Sequence, residues 1–335
     1  MKIQPRISRR RAGTALLAGA ATLALSACSV QGGSSGGGSG DYPSRAVEFT
    51  VPSDPGGSTD LITRALAKSI EKPLGQKGVV VNKPGANGKI AGKDVFSSKP
   101  DGYRVAVMPQ SLFAIGPLVV KDPGAIKLED MTFVKGLTVE DYVMVVPADS
   151  KYKTVKDILA AGKVRYGTSG AGTGNQLAQA LLFGKAKVNA TAIPFDGGGP
   201  QLTAVLGHKV DVGTVHVAEA YKQIEAGKLR PLVAFSAKRL EALPNVPTAT
   251  ESGYDIVVDQ RRFVAAPAAL PTDVRDKLVA AIDKAVASPE YTQLLKQNYI
   301  GRWDVNGDQV SQQLTKSRDN FTNLTRTLGI NLSGS

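Results

Sequence analysis

Short β-like runs alternate with helical patterns through most of this chain, and no other feature limits its fold so strongly. Val47 to Val51 reads as a strand, after which Leu61, Ile62, Ala65, Leu66 and Ile70 recur at helical spacing. Val79 to Val81 and Arg104 to Met108 read as further strands, followed by Phe133-Val134 and Val143 to Val146. The second half repeats the rhythm. Helices are expected over 155–161, 175–182, 200–206 and 218–225, and strands over 164–167, 190–194, 210–212 and 231–235. Alternating β and α predicts an α/β fold with a mainly parallel sheet covered by helices on both faces. Two such series predict two α/β lobes. From Pro271 only helical patterns remain, over 274–287, 290–297 and 308–328. Val274, Leu278, Ala281, Ile282 and Ala285 mark one apolar face of the first of these. This helical tail is expected to pack back on the first lobe.

The amino-terminal segment does not share the pattern. Lys2, Arg6, Arg9, Arg10 and Arg11 precede an apolar, small-residue run from Ala12 to Ala27. Basic head, short apolar middle and small exit residues describe an export signal over 1–27. The run is shorter than the ~20 residues a membrane span needs. Leu25-Ser26-Ala27-Cys28 is a lipobox pattern, in which Cys28, the single cysteine, becomes the lipidated first residue. Ser8-Arg9-Arg10 leaves the export route open between the general and twin-arginine pathways. Residues 28–40 are dominated by glycine and serine, cannot build a core, and read as a flexible tether. The expectation is a soluble body held at the outer face of the cell membrane by a lipid anchor on Cys28.

Charge separates the partner classes. The export signal holds five of the basic side chains and no acidic ones, so removing it takes the net charge from +12 to +7. The remaining basic residues, such as Lys68, Lys83, Lys121, Lys135, Lys209 and Lys284, are dispersed. No dense basic run with interleaved aromatics is present, which argues against nucleic acid. A diffuse positive field draws small anions; it also serves solubility.

Two glycine-rich loops each join a strand to a helix. The first is Ser53-Asp54-Pro55-Gly56-Gly57-Ser58-Thr59-Asp60, and the second is Thr168-Ser169-Gly170-Ala171-Gly172-Thr173-Gly174-Asn175. Glycine admits close backbone approach to a ligand. The helix start beyond it offers free N–H groups and a partial positive charge, which suits a carboxylate or phosphate. In open parallel sheets such loops lie at the carboxyl ends of strands, where ligands bind. One loop in each lobe suggests a cleft clamped from both sides.

Other chemistries fit less well. Gly174 is followed by Asn175 rather than the lysine of a phosphate-binding P-loop, and the spacing of Gly170, Gly172 and Gly174 is not a dinucleotide fingerprint. A hydrolase elbow requires its second glycine one position later than Gly170. No His, Cys, Asp and Glu cluster has metal-site spacing, and no cofactor is expected. Of the two histidines, His208 sits in a turn and reads as solvated, whereas His216 follows a strand and is open to either a ligand contact or a structural role. General acid–base chemistry has no evident centre, which argues against an enzyme.

Taken in order, the motifs form a recognisable series. It runs through Tyr42-Pro43-Ser44-Arg45, Pro55 to Asp60, Asn82-Lys83-Pro84-Gly85-Ala86-Asn87-Gly88 and Pro100-Asp101-Gly102-Tyr103. Gly167 to Asn175, Pro194-Phe195-Asp196-Gly197-Gly198-Gly199-Pro200, Gly227 to Leu232 and Leu243 to Thr248 complete it. The chain resembles the extracytoplasmic solute receptors of tripartite tricarboxylate transporters, the Bug receptors, from Tyr42 to about Leu328.

The resemblance implies a two-lobed periplasmic-binding-protein architecture of the Venus flytrap, type II kind. The first lobe would take 41–145 and 262–335, the second 146–261, with crossings near 142–149 and 259–265. Hinge closure would hold a small carboxylate between the two glycine loops, so Ser53 to Asp60 would serve one lobe and Thr168 to Thr173 with Asn175 the other. Asp60 would brace its loop rather than meet an anion. Gln110, Ser111, Phe195, Asp196 and His216 are candidates for selectivity, and Arg261 for an extra cationic contact; Arg262 reads as a surface or hinge ion pair. Gln176 and Gln260 stand where family members often have a histidine and an aromatic residue. Membrane permease subunits would be the partners, with a monomeric receptor. The alternatives are an extracytoplasmic hydrolase using Ser169 with His216 as base, and a solute sensor.

Overall fold

Val47–Val51 (β1) is covered on both faces, as a strand inside a parallel sheet must be. The computed structural model describes residues 42–119, 122–330 and 332. The export signal, Cys28 and nearly all of the tether expected from sequence lie outside the described residues. β1 leads through the first glycine loop into Ser58–Leu74 (α1), then Gly78–Asn82 (β2), Lys89–Phe96 (α2) and Arg104–Pro109 (β3). α1 stops at Gly75, whose φ of 73° is left-handed and lets its N–H bond back to Glu71 O. β1 pairs in parallel with β2 on one side and β3 on the other.

Short helices Ser111–Ala114 (α3) and Gly116–Val119 (α4) precede Met131–Pro147 (β4), and Val155–Leu159 (α5), Val164–Thr168 (β5) and Gly174–Lys185 (α6) follow. The second series continues with Ala190–Pro194 (β6), Gly198–Leu206 (α7), Val212–His216 (β7), Val217–Glu225 (α8) and Leu229–Ala234 (β8). Asp259–Pro267 (β9), Thr272–Val286 (α9), Pro289–Gln297 (α10), Gly301–Arg302 (β10) and Gly307–Thr327 (α11) complete the chain.

β4 belongs to two sheets. As far as Asp141 it pairs antiparallel with β9, and from Tyr142 it pairs with β7 and β8. One sheet runs β2-β1-β3-β9-β4-β10 and the other β8-β4-β7-β5-β6. The sequence pattern marked only the two apolar ends of β4, because polar Lys135, Thr138, Glu140 and Asp141 interrupt it between them. Val258 still donates to Phe235 O on the second-sheet side, whereas Asp259 already stands opposite Asp141 in the first sheet. Two neighbouring chain passages, near Asp141 and Asp259, therefore join the sheets. This is the α/β architecture expected, two lobes on a pair of crossover strands.

Strand parity sorts side chains at these passages. Thr138, Glu140, Gln260 and Arg262 share one face of the β4–β9 ladder; Val139, Asp141, Asp259 and Arg261 share the other. The first face continues through Val264 and Ala266 into the core under α1, α9 and α10. The second continues through Phe263 and Ala265 into the core under α2 and α11. Leu314 of α11 is fully buried there, and its truncation to alanine would cost about 2–5 kcal/mol.

Two expectations need correction. The strand placed at 210–212 is Val212–His216, so His216 is the last residue of β7 rather than the residue after it. The tail does not finish the first lobe alone. Val310 and Leu314 pack there, but Phe321, Leu324, Leu328 and Ile330 pack with the second-lobe core around α6, because α11 is long enough to pass both sheets.

Candidate functional site

Both glycine loops open at the carboxyl ends of their strands, and both helices after them start without a side-chain cap. Gly57, before α1, has no side chain to cap with, and the Thr173 side chain, before α6, accepts nothing from its helix. The first N–H groups of each helix stay available to an anion, with the helix dipole behind them.

The first loop is braced from below. Asp60 Oδ2 accepts from Gly56 N–H at 2.9 Å and from Arg64 Nε at 2.8 Å, and Asp60 Oδ1 accepts from Asn82 Nδ2 at 2.9 Å. Asn82 Nδ2 also donates to Ser53 O. Burial works to raise the Asp60 carboxyl, but Arg64, Gly56 and Asn82 together hold it below the usual carboxylate range. Asp60 is thus a fixed, buried strut. Ser53 Oγ is buried without a hydrogen-bond partner, and Asp54, Pro55 and Gly56 form the exposed rim.

The second loop is fastened by amides. Asn175 Nδ2 donates to Gln201 Oε1 and to Thr214 O, both at 2.9 Å. Gln201 Nε2 in turn donates to Gly167 O and Thr214 O. Thr173 Oγ1 lies 2.8 Å from Gly170 O, and Ser169 N–H donates to Asn175 Oδ1 at 3.4 Å. Gln176 Oε1 accepts from Gly172 N–H at 2.8 Å, while its Nε2 donates to Leu332 O. Thr168 is fully buried and Ala171 is exposed at the loop tip.

A chain of polar contacts links the lobes. Asn87 Nδ2 donates to Gly172 O at 2.8 Å, and Asn87 Oδ1 accepts from Ser111 Oγ at 3.0 Å. Gln260 Nε2 donates to Ser111 Oγ, and Ser111 N–H donates back to Gln260 Oε1. Gly172 has φ of 74°, and a Cβ there would stand 3.2 Å from Gly116 Cα at the start of α4. Glycine is therefore needed twice over, for conformation and for approach.

On the α1 side lies a buried ionic group. Arg262 Nη2 is 2.9 Å from Glu140 Oε2, with both side chains at least nine-tenths buried. The pair is a charge contact rather than an aligned hydrogen bond, since Glu140 Oε2 has no donor. Ser58 Oγ donates to Glu140 Oε1. His216 stacks on Tyr142 with centroids 4.4 Å apart, and its Nδ1 has no partner. Burial pushes the imidazole down to about 4, with Arg262 adding to this and Glu140 opposing it. Glu219, in the first turn of α8, leans on Gly198 in the first turn of α7 and accepts from His216 N–H. Burial first, and Glu140 second, push its carboxyl up to about 7 against Arg262 and that N–H.

Other expected residues are placed differently. Arg261 faces the opposite side of the β4–β9 ladder from Arg262; it donates to Gln313 and Asp259 and lies over Trp303. Gln110 is spent on the same side, donating to Asp259 O and Oδ1. Phe195 is half-buried beside Gly167, and Asp196 is exposed on the β6–α7 loop. No hydrogen bond joins Ser169 Oγ to His216 among the described residues, so a nucleophile–base pair is not assembled. Sequence reasoning gave no site role to Asn87, Glu140 or Glu219. Asn87 had one available signal, a polar residue in the Pro84 to Gly88 turn; the other two depend on strand register and helix packing.

Comparison with known proteins gives a consistent match. Residues 62–330 fit the model of the tripartite tricarboxylate transporter family receptor. The chain is 32% identical over 280 residues to a UPF0065 protein in the gbd 5' region of Cupriavidus necator, covering 81% of this chain and 84% of that one. The solved periplasmic binding protein BugD superposes with a TM-score of 0.81 at 27% identity, over 87% of this chain and 99% of that chain. The R. palustris protein Rpa4515, solved with adipate, gives a TM-score of 0.82 at 25% identity, over 87% and 99%.

Proposed function

This chain belongs to the tripartite tricarboxylate transporter family of receptors, and from that membership we propose that it binds a small carboxylate between its lobes and delivers it to membrane permease subunits. Members of this family are extracytoplasmic solute-binding receptors rather than enzymes. The observation that carries the reading is the pair of uncapped helix starts, one behind each glycine loop, with Asn87 joined to Gly172 across the gap between them. An anion placed there would receive N–H groups from both lobes. Its binding would favour closure because only the closed form presents both loops at once.

The solute contacts would come from Ser53, Gly57, Ser58 and Thr59 on one side and from Ser169 to Thr173 on the other. Gln260 and Ser111 would line the hinge side. Asp60, Asn175 and Gln176 would act by holding loops in shape. The lobes would divide at Asp141–Tyr142 and Val258–Asp259. We further propose a lipid anchor on Cys28 and a monomeric receptor. Among the described residues, no helix is long and apolar enough to cross a membrane.

The test is thermal unfolding of the purified protein, freed of copurified solute by unfolding and refolding, against mono-, di- and tricarboxylates, amino acids, aromatic acids and neutral controls. Ligand at ~100 times its dissociation constant adds roughly 2.7 kcal/mol of stability. At least one acid should raise the midpoint. No shift with any acid would remove the carboxylate reading.

A further inference from the structure

Helix α8 belongs to the second lobe but does not stay within it. Val217, Ala220 and Tyr221 pack with Val143 and Val215 of the second lobe, whereas Ala218 rests on the first-lobe core. Ala218 and Tyr221 are three residues apart and so share one stripe of the helix. That stripe meets the end of α10, where the Tyr221 ring lies 4.5 Å from the Tyr299 ring, tilted by 48°. Tilted ring pairs at this distance attract one another. Tyr299 is a first-lobe residue, since Leu295 before it and Ile300 after it are buried in the core under α1 and α9.

The backbone at Tyr299 is not one that tyrosine favours. Its φ of 54° is left-handed, a region that a bulky side chain enters only at a cost. Tyr299 N–H donates to Lys296 O, and Ile300 N–H donates to Leu295 O. These are the paired bonds that close a helix on a left-handed residue, most often glycine. The end of α10 therefore suits glycine best, yet the residue there carries a large, exposed ring. Closing the helix does not require that ring; meeting Tyr221 does.

The ring pair and the Asn87–Gly172 hydrogen bond are made in the same arrangement of the lobes. Resting on the carboxylate-receptor reading, we propose that Tyr221 and Tyr299 form a latch that holds the lobes in the arrangement that clamps the solute. Both are positioning residues, acting through the lobes and not by touching the solute. Apparent affinity scales with the fraction of molecules in the binding-competent arrangement, and the latch raises that fraction.

Calorimetric titration of the refolded protein tests this. Acetate, benzoate, succinate, malate and citrate are the probes, and the acid that wild type binds most tightly is carried to the variants. Tyr299→Gly removes the ring and suits the left-handed backbone, so the ligand-free unfolding midpoint should hold or rise. The dissociation constant should nonetheless increase about 2- to 10-fold, the range of one aromatic pair. A tyrosine that served only the local fold would leave affinity unmoved. Tyr221→Ala should weaken binding within the same range. The double variant should be no more than about twofold weaker than the weaker single one, because the two rings make one contact. Weakening of less than about twofold in Tyr299→Gly, or tighter binding, overturns the latch. Full additivity in the double variant overturns it as well. Binding of none of the acids by wild type removes the carboxylate reading and the latch with it, whereas failure of the latch alone leaves that reading intact.

Discussion

Arg262 meets Glu140 because strand register puts Thr138 opposite Arg262 and Glu140 opposite Gln260, on one face. Removing one member of such a pair leaves a buried charge alone. Arg262→Ala should therefore destabilise the protein by about 3–5 kcal/mol in urea unfolding. The double change Glu140→Leu with Arg262→Met should cost clearly less, since no charge is stranded; equal losses would mean that the side chains matter for packing alone. Glu219 gives a pH signature. Its carboxyl is pushed up to about 7 in the fold from an ordinary 4.5. The folded state therefore holds that proton more tightly, and stability falls as pH rises through this window. His216 N–H, Glu140, Arg262 and Gly198 are the groups that face it. Relative to wild type, Glu219→Gln should gain about 1–2 kcal/mol between pH 5 and pH 8, less than the ideal amount because Glu219 is partly exposed. A difference independent of pH would show that the carboxylate is not perturbed. Asp141, whose carboxyl burial and then Asp259 push up to about 6, and His216 titrate in both proteins, so they drop out of the comparison.

At the scale of elements, the second glycine loop is the informative one. Gly172 combines a φ of 74° with close approach to Gly116, so a methyl group there strains the loop and presses on the start of α4. Gly172→Ala should weaken solute binding by about tenfold or more while lowering the ligand-free midpoint only modestly, since the cost of a left-handed alanine is on the order of 1–2 kcal/mol. Undiminished affinity would mean that Gly172 does not form the closed contact. Such loops were legible from sequence, because strand, glycine turn and helix start are adjacent along the chain. Glu140 with Arg262, and Glu219 with Gly198, were not. Each joins residues from separate elements, and whether a strand residue faces one side or the other turns on a register that no local pattern displays. The same parity sends Arg261 to Gln313 and Asp259, away from Arg262.

Taken as a whole, the molecule is two α/β lobes on two crossover passages, with α11 packed on both. The alternating pattern made that architecture readable. The tail was misread because its helix periodicity reports one apolar face and not the length over which that face finds partners: Leu314 rests on the first lobe and Leu324 on the second. The central claim is that a carboxylate is held from both lobes at once. Calorimetric titration of wild type, Ser53→Ala, Ser169→Ala and the double variant, with the acid giving the largest thermal shift, tests it most directly. Each single change should weaken binding by about 1–3 kcal/mol, the worth of a hydrogen bond to a charged group, and the two should be coupled in the double variant. Loss from one lobe's serine with none from the other would contradict the clamp.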